Sequence, residues 1–118
     1  MKLTSLSDSE LLDVVRPLAE HTEASWNDKD YQAFCRYLIL EDVEQTFPEA
    51  EFQRQIAENY DIYGVHRIGE LVAIHRNPDN VIVMWKVGFE KREAPGLLIY
   101  GFKEHEGEVR VAGCSYHA

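Results

Sequence analysis

Two residues of this chain that could do chemistry together, His66 and Glu70, lie on a predicted strand that begins at Val65. Side chains alternate along a strand, so His66, Ile68 and Glu70 share one face. A carboxylate held among apolar side chains has its pKa raised and can serve as a general acid or base. Tyr100 lies in the middle of a later predicted strand. We therefore take Glu70 as a candidate catalytic group that His66 and Tyr100 would assist.

A second interpretation of Glu70 stays open. Gly69 precedes it in the chain, and a glycine inside a strand often marks a bulge that shifts the register. Such a bulge would turn Glu70 to solvent.

Other catalytic and metal-binding patterns are missing from the sequence. The histidines are scattered and show no metal-ligand spacing, so we predict no metal site. No phosphate loop, dinucleotide motif or nucleophile elbow occurs, and we predict no cofactor. Cys35 and Cys114 lie on different predicted elements, and two free thiols are favoured over the alternative of a disulfide between them. Cys35 shares a helical stripe with Tyr31 and Leu38, which indicates a buried structural residue.

The second half of the chain must supply the strands that position these groups. It contains four stretches of β-type sequence in series, which we place at about Val65–Arg76, Val81–Lys91, Leu97–His105 and Glu108–His117. Short turn signals separate them, at Asn77–Asn80, Glu93–Gly96 and Glu106–Gly107. Short turns between long strands favour sequential antiparallel pairing.

The first half of the chain reads as helices. Ser7 and Glu10 fit a capping box that opens a first helix reaching about Ser25, which Pro17 should kink or divide. Further helices are predicted over roughly Tyr31–Leu38 and Pro48–Tyr60. Residues 38–47 are compatible with a strand, a turn or a lid. The whole chain, 1–118, is therefore predicted to be one α+β domain with N-terminal helices packed on a curved antiparallel meander sheet.

Aromatic side chains near the predicted inner face of the sheet could line a ligand pocket. The candidate pocket residues are Trp26, Tyr31, Tyr60, Trp85 and Tyr100. The alternative is that these aromatic side chains simply fill the core.

The back of the predicted sheet is unusually apolar. Its members would be Ile82, Met84, Leu97, Ile99, Cys114 and Tyr116. A large apolar face favours association, so we predict a homodimer through these residues. The alternative is that loops or the N-terminal segment cover them.

The charge balance bears on possible partners. With 12 basic and 21 acidic residues the net charge is −9, which repels phosphate backbones and anionic headgroups. No apolar run approaches the ~18 residues of a membrane span, and Met1–Leu6 has no secretory signal. We expect no nucleic-acid or membrane partner and a cytoplasmic location.

The junction between the first two helices resembles a known motif. The segment Ala24–Phe34 is similar to the "alanine, any, tryptophan-asparagine, two residues, aspartate, aromatic" pattern of the nuclear-transport-factor-2-like superfamily, the broad group that holds SnoaL-like cyclases and ketosteroid isomerases. The Glu41-Asp42 pair resembles the acidic pair that follows in that group. The resemblance implies a curved sheet wrapped around a long helix with a conical cavity, but no particular reaction.

The isomerase branch of this group can be compared residue by residue. Phe47 stands where its general-base aspartate would precede Pro48, and Thr22 stands where its oxyanion-binding tyrosine would lie. Both departures argue against isomerase chemistry of that type.

Three functional hypotheses follow. The first is a dimeric cone-fold domain that binds a small apolar ligand without an evident catalytic constellation. The second is an isomerase, dehydratase or cyclase that acts on a small apolar substrate through Glu70, His66 and Tyr100. The third is a module that binds a different protein through the back of the sheet.

Overall fold

A long N-terminal helix and a four-stranded antiparallel sheet dominate the computed structural model, which describes residues 2–39 and 47–118. After a 3-10 turn at Leu3–Ser5, the helices are α1 Asp8–Asn27, α2 Tyr31–Phe34 and α3 Glu49–Tyr63. The strands are β1 His66–Arg76, β2 Val81–Phe89, β3 Arg92–His105 and β4 Glu108–His117. They pair in the order β1-β2-β3-β4, each antiparallel to the next. The predicted α+β meander is confirmed.

Helix α1 begins at the predicted capping box. Ser7 Oγ accepts from the Glu10 amide at 3.2 Å, and the Ser7 amide donates to Glu10 Oε1 at 3.0 Å. The helix is continuous through Pro17, so the predicted division there is wrong. It also runs two residues beyond Ser25, and this extra length adds Asn27 to its last turn.

Helix α2 is shorter than predicted and ends at Phe34 instead of Leu38. Leu38 instead forms a parallel bridge with Val111, and the Val111 amide donates to Tyr37 O at 2.8 Å. Pairing with the edge of the sheet therefore replaces the last helical turn. The question of a strand, turn or lid over residues 38–47 falls mostly on residues 40–46, which lie outside the described residues.

Helix α3 stops at Gly64, as the sequence predicts. Gly64 has a φ of 71°, a conformation that favours glycine, and a Cβ there would collide with the side chain of Glu90. The stop lets the chain turn directly into β1.

The hairpin between β2 and β3 differs from the prediction. Phe89 pairs with Arg92, so the turn lies at residues 90–91, and the predicted turn at Glu93–Gly96 is part of β3. Gly96 pairs with Val87, which places extra residues, Pro95 among them, on the β3 side of a bulge. Proline has no amide to donate and is tolerated at bulges. By contrast, Glu106 and Gly107 have φ values of 53° and 82° and form the predicted last turn.

The core lies between the helices and one face of the sheet. From β2 and β3 that face contributes alternate residues: Val81, Val83, Trp85, Val87, Phe89, Leu98, Tyr100 and Phe102. The helices α1 and α3 cover this face of the sheet with Leu11, Val15, Ala19, Trp26, Phe52 and Ile56. Among the described residues, no helix is long and apolar enough to cross a bilayer.

A bulge in β4 reverses the predicted facing of two residues. Phe102 pairs with Val111 and Gly101 with Gly113, so the residue between them, at position 112, is extra. From that point on, Cys114 lies opposite Tyr100 and Tyr116 opposite Leu98, which places both on the inner face. The prediction that Cys114 and Tyr116 belong to the back of the sheet is therefore wrong.

The other four residues of the predicted dimer surface do lie on the back of the sheet. Ile82, Met84, Leu97 and Ile99 alternate with core residues, are half-buried and are not part of the core cluster. Met84 and Ile99 are direct cross-strand partners at the centre of this face. We call these four residues the back face.

Candidate functional site

A carboxylate is buried in the apolar stripe of α1. Glu23 follows Ala19 by one helical turn and precedes Trp26 by three residues, so it points with them toward the sheet. Only 7% of its surface is exposed. A buried acid needs polar partners, and the sheet provides them.

Two side chains from the sheet contact Glu23. His66 Nδ1 lies 2.8 Å from Oε1, and the hydroxyl of Tyr100 donates to Oε2. Burial, and then the nearby charge of Glu23, raise the pKa of Tyr100 well above its usual range, which keeps its hydroxyl a donor. A proton on Nδ1 of the imidazole faces the carboxylate, and Nε2 makes no hydrogen bond among the described residues.

Asn27 fixes the backbone of the same histidine. Its Oδ1 accepts from the His66 amide at 2.8 Å, and its Nδ2 donates to His66 O at 2.8 Å. Glu23 and Asn27 are four residues apart and so share one face of α1. One turn of helix therefore holds both the backbone and the imidazole of His66.

Aromatic rings enclose this imidazole. The Trp26 ring is stacked on it at 5.8 Å between centroids, and the rings of Tyr116 and Phe89 meet it edge-on at 4.7 and 5.2 Å. Only 2% of the His66 side chain is exposed. The ring is thus fixed in orientation by both packing and hydrogen bonds.

A cavity of about 730 Å³ opens beside Glu23 and His66. Its walls come from all three helices, the segment after α2, the start of β1 and β4, and they are mainly aromatic and aliphatic. The largest side chains in the lining are Trp26, Phe34, Phe47, Tyr63 and Tyr116. The polar members are Glu23, Gln55, Asn59, His66, Cys114, Ser115 and His117. This volume is within the range of pockets that hold small organic molecules.

Burial changes the pKa of two further groups in the lining, Cys114 and Tyr116. Burial, and then the charge of Glu23, raise the pKa of Cys114 to about 12. Burial also raises the pKa of Tyr116, with smaller effects from Tyr63 and Glu23. Cys114 is therefore a thiol at neutral pH and a poor nucleophile.

The structure brings together His66 and Tyr100, as predicted, but the acid between them is Glu23. Glu70 is on the surface, with 75% of its side chain exposed and its Oε1 3.8 Å from Lys86 Nζ. The β1–β2 register shifts between Ile68 and Leu71, which agrees with the bulge interpretation at Gly69. The prediction that Glu70 faces the cavity is wrong.

Of the predicted pocket residues, Trp26 lines the cavity and the other four do not. The hydroxyl of Tyr31 donates to Phe47 O, and that of Tyr60 donates to Asn27 O. Trp85 and Tyr100 are fully buried. These two fill the core, as the alternative interpretation held.

Glu23 is the functional candidate that sequence reasoning missed. The available signal was its spacing, because a charged residue interrupts the apolar stripe of α1 between Ala19 and Trp26. Within residues 2–39 and 47–118, no group of three His, Cys, Asp or Glu side chains is placed to hold a metal ion.

Comparison with known proteins agrees with this architecture. No family model and no curated protein matches the chain. Among solved structures, a variant of the design Rd1NTF2_05 matches with a TM-score of 0.58 and 11% identity, over 88% of this chain and 96% of that one. The fold is NTF2-like.

Two further solved structures also match the chain. Bd1075 of Bdellovibrio bacteriovorus matches with a TM-score of 0.55 and 12% identity, over 95% of this chain and 43% of that one. AclR of Streptomyces galilaeus matches with a TM-score of 0.50 and 13% identity, over 86% of this chain and 77% of that one. At such identities the likeness shows the fold alone.

Proposed function

We propose that this NTF2-like chain is a binding domain for a small, mostly apolar or aromatic molecule. The observation that carries the proposal is the cavity of about 730 Å³ with aromatic walls and one buried polar group, the Glu23–His66 pair. Apolar walls supply affinity through burial, and a few fixed polar groups supply orientation. The side chain of Tyr100 supports the pair from the core.

The binding proposal can be tested by narrowing the cavity. Gln55 lines the cavity from α3, whereas Gln53 is exposed two residues earlier on the same helix. Ligands would be found by NMR screening of small aromatic compounds. We expect Gln55→Trp to weaken the strongest binders at least about tenfold, and Gln53→Trp to leave them unchanged. Equal binding by both variants, or no binding to the wild type, would contradict the proposal.

A second candidate function is proton transfer on the bound molecule. The specific observation in its favour is the arrangement of His66, with Nδ1 on a carboxylate and no hydrogen bond to Nε2 from the described residues. An imidazole oriented in this way is suited to act as a general base. In this arrangement His66 is the base and Glu23 orients it, whereas the sequence suggested the carboxylate of Glu70 as the acid or base.

Proton transfer is measurable without knowing the natural substrate. An enolisable aromatic ketone such as 2-tetralone in D2O reports it by deuterium uptake next to the carbonyl. We expect the wild type to accelerate uptake and His66→Gln to abolish the acceleration. The matched control is His75→Gln, because His75 is exposed on β1. Acceleration that survives His66→Gln would exclude His66 as the base.

We also propose that the chain forms a homodimer through the back face. Its four apolar side chains lie outside the core cluster, and a second copy could bury them. The binding of a different protein to the same face remains the alternative.

A further inference from the structure

The charge of the cavity lining indicates the class of ligand. Glu23 is the one acidic side chain among the described lining residues, and neither lysine nor arginine belongs to them. Residues 40–46, which lie outside the described chain, also contain no lysine or arginine. The whole protein carries a net charge of −9. Anionic ligands such as carboxylates and phosphates are therefore disfavoured.

The partners of Glu23 satisfy its hydrogen bonds but not its charge. Its described contacts are the phenol of Tyr100 and one nitrogen of His66, and neither partner carries a permanent positive charge. A buried carboxylate without a cationic partner is costly in free energy. A cation in the cavity would remove much of that cost.

The walls of the cavity suit a cation of low hydration. Five phenyl, phenol or indole side chains line it, and one of them, Tyr116, makes ring contacts with Trp26, Tyr63 and His66. Aromatic faces attract ammonium groups, most strongly when the cation carries alkyl groups and is easily desolvated. A carboxylate beside aromatic walls is the combination that such a cation requires.

We propose that the ligand of this cavity is a small organic cation, an alkyl- or aryl-substituted ammonium compound, with Glu23 as its counter-ion. The proposal rests on the proposed binding function and specifies its ligand class. Glu23 then has two roles, since it holds His66 and supplies the negative charge that selects the ligand.

The test compares three probes of similar size by isothermal titration calorimetry and NMR. Benzyltrimethylammonium is the cation, neopentylbenzene is the neutral analogue with carbon in place of nitrogen, and phenylacetate is the anion. We expect the cation to bind the wild type at least about tenfold more tightly than the neutral analogue, and phenylacetate to bind the weakest.

Glu23→Gln should abolish this preference while keeping the binding of neopentylbenzene. The matched control is Glu20→Gln, which removes the same charge from the same helix at an exposed site paired with Arg16. It should keep the preference for the cation. If Glu23→Gln does not fold, the three-probe comparison on the wild type decides the matter.

The outcomes separate this inference from the binding function. Equal binding of the cation and neopentylbenzene would overturn the cation proposal and leave a ligand-binding cavity standing. No binding of any probe would overturn both. NMR evidence that both nitrogens of His66 carry protons in the free protein would also overturn the cation proposal, because Glu23 would already have its counter-ion.

Discussion

Each residue of the site depends on a neighbour for its chemical state. Tyr100 remains a phenol because it is buried beside Glu23, and this lets it donate to the carboxylate. The imidazole of His66 is oriented in turn by that carboxylate. None of the three residues, Glu23, His66 and Tyr100, would indicate a site if it were considered without the other two.

At this scale the clearest prediction concerns Asn27. Asn27→Ala removes both side-chain hydrogen bonds to the His66 backbone, and unsatisfied buried backbone groups cost about 1–3 kcal/mol. We expect lower stability together with the loss of a single imidazole tautomer, read from the 15N shifts of His66 by NMR.

The control for Asn27 is Asn59→Ala. Asn59 also lines the cavity, but its amide donates within its own helix, to Gln55 O. Asn59→Ala should therefore leave the tautomer of His66 unchanged. If Asn27→Ala kept the wild-type tautomer signature, Asn27 would be merely structural and would not position the imidazole.

At the scale of elements, α1 is the platform of the site because it carries both Glu23 and Asn27. Its N-terminus is held by reciprocal hydrogen bonds between Ser7 and Glu10, and these bonds lower the pKa of Glu10. The start of the helix thus supports Glu23 and Asn27, which lie more than four turns later.

Ser7→Ala should therefore destabilise the whole domain. Loss of a serine N-cap costs about 1 kcal/mol, or a few degrees in Tm, about 3–5 °C for a chain of this size. Ser9→Ala is the control, because Ser9 is exposed in the first turn of the same helix. Thermal unfolding followed by circular dichroism measures both variants. Equal Tm values for the two would show that the cap contributes nothing.

Bulges are the second feature at this scale. The irregular register of β1 takes Glu70 to solvent, and the extra residue in β4 brings Cys114 and Tyr116 to the cavity. One inserted residue exchanges the two faces of a strand from that point on. The same strand sequences without bulges would present a different site.

At the scale of the whole molecule, the sheet has two different surfaces. Its inner face closes a cavity with the helices, and its back face presents Ile82, Met84, Leu97 and Ile99. The proposed dimer depends on the back face alone, so association and ligand binding should be separable.

Ile99→Lys places a charge at the centre of the back face and should convert a dimer to a monomer. Ile62→Lys is the control, because Ile62 is 58% exposed on α3 and away from the back face. Size-exclusion chromatography with light scattering gives the mass directly. A wild-type monomer at high concentration would contradict the dimer proposal.

Local signals in the sequence were sufficient for much of the fold. The capping box at Ser7, the stop at Gly64 and the turn at Glu106–Gly107 each act within a few residues, and all three are present. Strand alternation likewise identified the core face of β2. These features need no knowledge of distant contacts.

The site was decided only by tertiary structure. Glu23 meets His66 across 43 residues and Tyr100 across 77, and no periodic pattern specifies such a meeting. The facing of Glu70, Cys114 and Tyr116 depends on bulges, which arise from the way two strands pair and not from either strand alone. The sequence by itself determined which segments become helix and strand, because those preferences are local. The choice of which acid enters the cavity required the packing of α1 against the sheet.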